Sequence, residues 1–248
     1  MEHLLAYVVP VEYNVRAAYD LRQMVAWNRV EEATRDTRTP LSYERIAQAG
    51  IRIADAEGLD AVTMRRVAKD LGAGTMSLYR YVDHRDDLLA LMSDLVSAEA
   101  IAPPPTGEWR TDLSEIAHTL RRVTLRHPWM AGRILRATSF GPHTLAMAES
   151  TLTLIDGHGL SMPQLLDIWR TIVTFVRGFA LAESVRAAAE PAPLDDTAGD
   201  YVRSALDSGR YPLVSRWFTN TGPSESPDEA FERRLSYVLD GISANFPL

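Results

Sequence analysis

Apolar residues recur at helical spacing along almost the whole chain, and no stretch alternates at the period of two that a half-buried strand needs. The first strong segment opens after Thr39–Pro40. Ser42 stands where an N-cap is needed, Ile46, Ala49, Ile53 and Ala54 form an apolar stripe, and Gly58 stops the helix. Thr63 caps a second segment, with Met64, Val67, Ala68 and Leu71 turned inward and Gly72 at its end. Only "GAG" separates it from a third, Thr75–Val82, in which Leu78 and Val82 are four apart and face inward together. A fourth starts at Asp83, with Asp86 as the second half of a capping box, and carries Leu88, Leu89, Met92, Leu95 and Val96.

Three consecutive prolines in "APPPTG" (Ala102–Gly107) cannot lie within a helix and predict a rigid connector. Beyond it the spacing predicts helices near 109–126, 128–138, 143–156 and 163–189, the last capped by Ser161 with Pro163 in its first turn. A polar loop follows over 190–200, helical segments resume over 200–218, and an amphipathic helix covers 227–245. The expected fold is all-α, with a three-helix unit over residues 39–86 and a larger helical domain over 87–248. Residues 1–38 form an extension with two readings. Val15–Glu32 is one further helix, or the stretch is a frayed tail for which Met24 is an alternative start.

Composition narrows the chemistry. The chain of 248 residues, 46% hydrophobic and 24% charged, is an ordinary globular sequence long enough for a real core. It has no cysteine, which excludes disulfides, thiolate metal sites and cysteine nucleophiles. No apolar run approaches the ~18 residues that span a bilayer, and the N-terminal apolar run lacks a basic flank before it. A cytoplasmic protein with no membrane partner is expected. The six histidines show no metal-ligand spacing, and no phosphate-cradling glycine loop or nucleophile elbow occurs, so neither cofactor, metal nor enzymatic activity is expected. Net charge is −7, yet Val62–Arg85 holds five basic residues against two acids.

That basic stretch contains the shortest helix. Three compact segments joined by tight turns describe a helix-turn-helix, whose third element enters the DNA major groove. With Leu78 and Val82 inward, Thr75, Met76, Ser77, Tyr79, Arg80 and Tyr81 lie on or beside the outer face. Tyrosine hydroxyls suit phosphate oxygens, and arginine grips phosphate or a guanine edge. Thr63, Arg65 and Arg85 flank them as phosphate contacts. The stretch "LSYERIAQAGIRIADAEGLDAVTMRRVAKDLGAGTMSLYRYVDHRDDLL" (Leu41–Leu89) resembles the DNA-binding domain of TetR-family transcriptional repressors. The resemblance implies DNA contacts at the same nine residues. It extends more weakly through "LRHPWMAGRIL", "GPHTL", "GHGLS", "VRGFALAE" and "GRYPLV", which are similar to the tetracycline-repressor type of C-terminal domain. The first 38 residues have no counterpart in that pattern.

The resemblance implies a homodimeric repressor of a palindromic double-stranded DNA operator, released by a small effector, with activation the less expected alternative. A helical small-molecule- or protein-binding module without operator-specific DNA binding is the rival class. Candidate pocket residues are Trp129, Ile134, Phe140, His143 and Met147 on the preceding helices and Trp169, Arg170, Val173 and Arg177 on the long helix. They suit a small apolar or amphipathic effector, with an anionic group facing Arg170 or Arg177. The competing reading makes the aromatics core and pairs the arginines with acids such as Asp167 or Glu183. The positions that carry metal-chelating histidines in the tetracycline repressor fall here at Ile101 and near Leu135–Arg136, so metal-chelated tetracycline is not the expected ligand. Phe231, Leu235, Val238, Leu239 and Ile242 stripe the last helix. That stripe packs on its own domain or, as the resemblance implies, joins helix 163–189 in an intersubunit four-helix bundle.

Overall fold

The computed structural model describes Trp27, Val30 and residues 41–130, 141–188, 196–219, 225–246 and 248. Ten helices appear among them: α1 (Tyr43–Glu57), α2 (Met64–Asp70), α3 (Thr75–Leu78), α4 (Arg85–Ser97), α5 (Trp109–Arg126), α6 (Pro142–Thr153), α7 (Met162–Ala188), α8 (Asp196–Asp207), α9 (Pro212–Thr219) and α10 (Pro227–Asn245). No strand occurs among the described residues.

The caps follow side-chain chemistry. Ser42 Oγ accepts the Arg45 amide at 3.2 Å and Thr63 Oγ1 that of Arg66 at 3.2 Å, each satisfying a donor with no partner inside its helix. Ser226 and Glu229 close a reciprocal box at the start of α10. Gly72, at φ +64°, makes the turn out of α2 that a side chain would resist.

Three boundaries depart from expectation. The third helix ends at Leu78, because the amides of Tyr81 and Val82 both close onto the Leu78 carbonyl in a tightened last turn. The fourth is capped at His84, whose extended backbone suits an N-cap, and His84 donates its amide to Asp87 at 2.9 Å, so the acid of the box is Asp87 rather than Asp86. Helix α8 begins at Asp196, inside the expected polar loop, and the 200–218 stretch breaks before Pro212, which cannot continue a helix. Of the expected helix at 128–138, Trp129 and Met130 are helical and the remainder lies outside the described residues.

One apolar core runs from end to end, with α4 as its spine. Leu88, Leu89, Met92 and Val96 are fully buried. On the N-terminal side α1 crosses so tightly that a Cβ on Gly50 would sit 2.6 Å from Met92 Sδ. Leu78 and Val82 lock α3 to this unit, each burial stabilising by about 1.5–3 kcal/mol. In the larger domain, Leu113, Ile116 and Ala117 of α5 meet Ile168, Ile172 and Val176 of α7. The stripe Phe231, Leu235, Leu239 and Ile242 of α10 is buried within its own chain, with Val238 half-buried. Phe231 stacks on Phe175 at 5.7 Å, and the Arg121 guanidinium lies 4.7 Å over Phe231. Arg121 also forks onto Glu183 at 2.8 and 3.0 Å and reaches Asp228 at 2.8 Å, tying α5, α7 and α10 together.

Candidate functional site

The N-terminal unit presents one face with spare cationic capacity. Arg52 and Arg66 are neutralised by Asp70 and Glu57 at 2.8 and 2.7 Å. Arg65, Lys69 and Arg80 are exposed, and no hydrogen bond or ion pair engages them among the described residues. Thr63 at the mouth of α2 is exposed, Met76 at the tip of α3 is 77% exposed, and Tyr79 keeps an exposed flank. Thr75 and Ser77 are half-buried beside them. These eight residues, exposed or half-buried, lie on α2, on the short α3 and just beyond their ends.

Two expected members make bonds within the domain. The Tyr81 hydroxyl donates to the Leu41 carbonyl at 3.0 Å and its ring packs edge-on to Tyr43 at 5.2 Å, so its one proton is spent inside the domain. Arg85 donates Nε to Val62 and Nη2 to Leu59, both at 2.7 Å, pinning α4 to the turn before α2. Both brace the fold through these bonds, and Arg85 stays exposed while Tyr81 is half-buried. Lys69 is the residue that sequence reasoning missed. It stands four after Arg65, a spacing that puts both on one helix face.

In the larger domain the candidate pocket residues divide. Ile134 and Phe140 lie outside the described residues. Trp129 is buried, and its indole N–H donates to Asp55 Oδ1 of α1 at 2.7 Å, tying this part of the chain to the first helix. Met147 and Val173 are buried, and His143 and Arg170 are half-buried. The Trp169 indole N–H is buried and finds no acceptor among the described residues. Arg177 is half-buried, no hydrogen bond or ion pair engages it among the described residues, and desolvation pulls its pKa down to about 10. The expected alternative partner, Glu183, is taken by Arg121.

Between the domains lies a polar joint absent from the sequence expectations. His127 is 2% exposed, with Nδ1 2.8 Å from Asp55 Oδ1 and Nε2 3.4 Å from Glu99. Asp94, 2% exposed within α4, accepts the Thr144 amide at 2.8 Å and the His143 amide at 3.4 Å, so the fourth helix itself caps α6. Ser97 accepts from the Thr144 hydroxyl at 3.2 Å, and the Ala102 amide donates to Ser150 at 3.0 Å. A charged aspartate in the run "LLALMSDLV", apolar but for Ser93 beside it, was the available signal for Asp94.

The family described as Tetracyclin repressor-like, C-terminal domain, matches residues 102–246. The HTH-type transcriptional repressor DrrR1 of Streptomyces coeruleorubidus is 34% identical over 225 residues, covering 87% of this chain and 82% of its own. The tetracycline repressor protein class E of Escherichia coli is 28% identical over 207 residues, covering 82% and 92%. Among solved structures, the Streptomyces coelicolor TetR family protein ActR in complex with actinorhodin superposes with a TM-score of 0.68 at 31% identity, covering 83% of this chain and 98% of that one.

Proposed function

The chain belongs to the TetR family of transcriptional regulators, and on that premise we propose that it is a repressor that holds a palindromic operator as a homodimer and releases it when a small amphipathic anion binds. The observation that carries the DNA half is the unpaired cationic rim of Arg65, Lys69 and Arg80 around Met76 and Tyr79. Cations without internal partners are what a polyanion recruits, and their counterion release sets the salt dependence of binding. Dimerisation is supported by the outward faces of α7 and α10, where Leu181, Val185 and Tyr237 are exposed on helices whose opposite stripes are buried at home. Work on the operator puts the protein with the chromosome, in the cytoplasm.

The effector reading rests on Arg177. An enclosed guanidinium with no carboxylate is costly in the empty protein and welcomes an anion brought by a ligand. The similar protein ActR holds actinorhodin in its solved complex, which supports an organic effector for this architecture. Ile101 offers no imidazole for a chelated metal, which favours an organic anion over a metal–tetracycline complex.

The test uses DNA from upstream of the protein's own gene in a gel-shift titration at rising salt. Specific retardation should fall as a straight line of log affinity against log salt. Affinity indistinguishable from that for an unrelated fragment of the same length would sink the repressor reading and favour a binding module without operator specificity. Aromatic carboxylates, titrated by calorimetry beside their methyl esters, test the anion: the acids should bind at least ~10-fold tighter, about 1.4 kcal/mol.

A further inference from the structure

Two residues that precede the first helix, Trp27 and Val30, touch the α4–α6 joint. Trp27 and Val30 are helical, half-buried and packed against the core. Their spacing of three sets them on one side of a helix. The Trp27 ring reaches Gly141, directly before α6, where an added Cβ would stand 2.6 Å from Trp27 Cη2 and would collide with the Asp94 carboxylate as well. Trp27, Gly141 and Asp94 therefore crowd a single spot, the place where α4 caps α6.

We propose that the α4–α6 joint is a docking surface for the chain's own N-terminal segment, with Trp27 as its anchor and Val30 beside it. The occupant is identified by two facts: the Trp27 ring is seated there, and the neighbouring position is a glycine with no room for a side chain. An aromatic ring at this point also keeps water from a buried carboxylate on a helix N-terminus, and such a charge–dipole contact strengthens as its surroundings become less polar. Trp27, with Val30 beside it, thus stiffens the joint at which α4 caps α6.

Hydrogen exchange at individual amides tests this on three proteins besides the full chain: one starting at Met24, one starting at Thr39, and Trp27→Ala in the full chain. The His143 and Thr144 amides, capped by Asp94, should exchange about tenfold faster from the Thr39 start and in Trp27→Ala, through easier local opening. The Met24 start keeps Trp27 and Val30 and should match the full chain. Ile116 and Ala117, buried in α5, serve as internal controls and should be unchanged. If removal of the extension prevents folding, Trp27→Ala decides the matter alone. Equal protection of His143 and Thr144 in all four proteins overturns the proposal. So does a Met24 start as fast as the Thr39 start, since the anchor would then lie before Trp27.

Discussion

Arg80 and Tyr81 are neighbours in sequence with different surroundings, which mutation separates. Arg80 has no partner among the described residues, so Arg80→Ala should leave thermal stability unchanged and cost ~1–3 kcal/mol of operator affinity if it reads a base. Tyr81→Phe should do the reverse. It removes the hydrogen bond to Leu41, lowering stability by about 0.5–1.5 kcal/mol in chemical denaturation, with operator affinity kept. Loss of DNA binding in a well-folded Tyr81→Phe protein would return that hydroxyl to the contact surface. At Arg177 the sign of the pKa shift matters. Its folded pKa lies below the ordinary guanidinium value, so the charged form is penalised by folding. That penalty is full at every pH below about 10 and fades as pH rises through that value. Arg177→Met should therefore raise the unfolding temperature at neutral pH, by roughly 2–4 °C for each kcal/mol relieved, while abolishing the preference for carboxylates over their esters. An unchanged preference would free Arg177 from the ligand role.

At the scale of elements, α4 is one rigid body with an engagement at each end. Arg85 fastens its start beside the DNA-facing turn, and Asp94 and Ser97 fasten its far end to α6. The connector that follows is pinned too, at Ala102 to Ser150 and at Thr106 to the Asp112 carboxylate, with three prolines between. Replacing Pro103–Pro105 with glycines should loosen this link and reduce effector–operator coupling, leaving each separate affinity nearly intact. Titration of effector against free and operator-bound protein measures it, and equal coupling in both proteins would show that stiffness there is irrelevant. A second strut runs from Asp55 to Trp129 and His127. Trp129→Phe keeps the ring and removes the donated N–H, so the same titration should show weakened coupling with DNA affinity preserved.

For the whole molecule, coupling is reciprocal. An effector that weakens operator binding tenfold must bind the operator-bound dimer tenfold more weakly, ~1.4 kcal/mol. Two recognition helices tied by α7 and α10 of each protomer should protect half-sites roughly 34–36 Å apart, one helical turn or a multiple of it. Footprinting that reveals a single half-site would refute the dimer. The outward position of Leu181, Val185 and Tyr237 adds a check, since a charge at Val185 should yield monomers in sedimentation without unfolding the chain.

Local chemistry made much of this legible in the residues alone. Helical periodicity, the Ser42 and Thr63 caps, Gly72 and the three prolines each act over a few residues, so α1, α2, α5 and α10 stand where spacing puts them. The start of α3 at Thr75 was readable for the same reason, while its early end at Leu78 was set by the tightened turn that follows. What a side chain meets across the fold was not readable, because hydrogen-bond partners depend on positions brought close from far along the chain. Tyr81 and Arg85 carry the chemistry of DNA contacts but find carbonyls of Leu41, Val62 and Leu59 first. Trp129 has the bulk of a pocket wall, yet Asp55, 74 residues away in sequence, claims its N–H. Periodicity marked the α10 stripe as buried, and only packing decided that its own chain buries it. Asp94, Gly141 and Trp27 share no local pattern at all. Their meeting exists because three distant segments converge on one crowded point, and steric exclusion of that kind is a property of the tertiary structure.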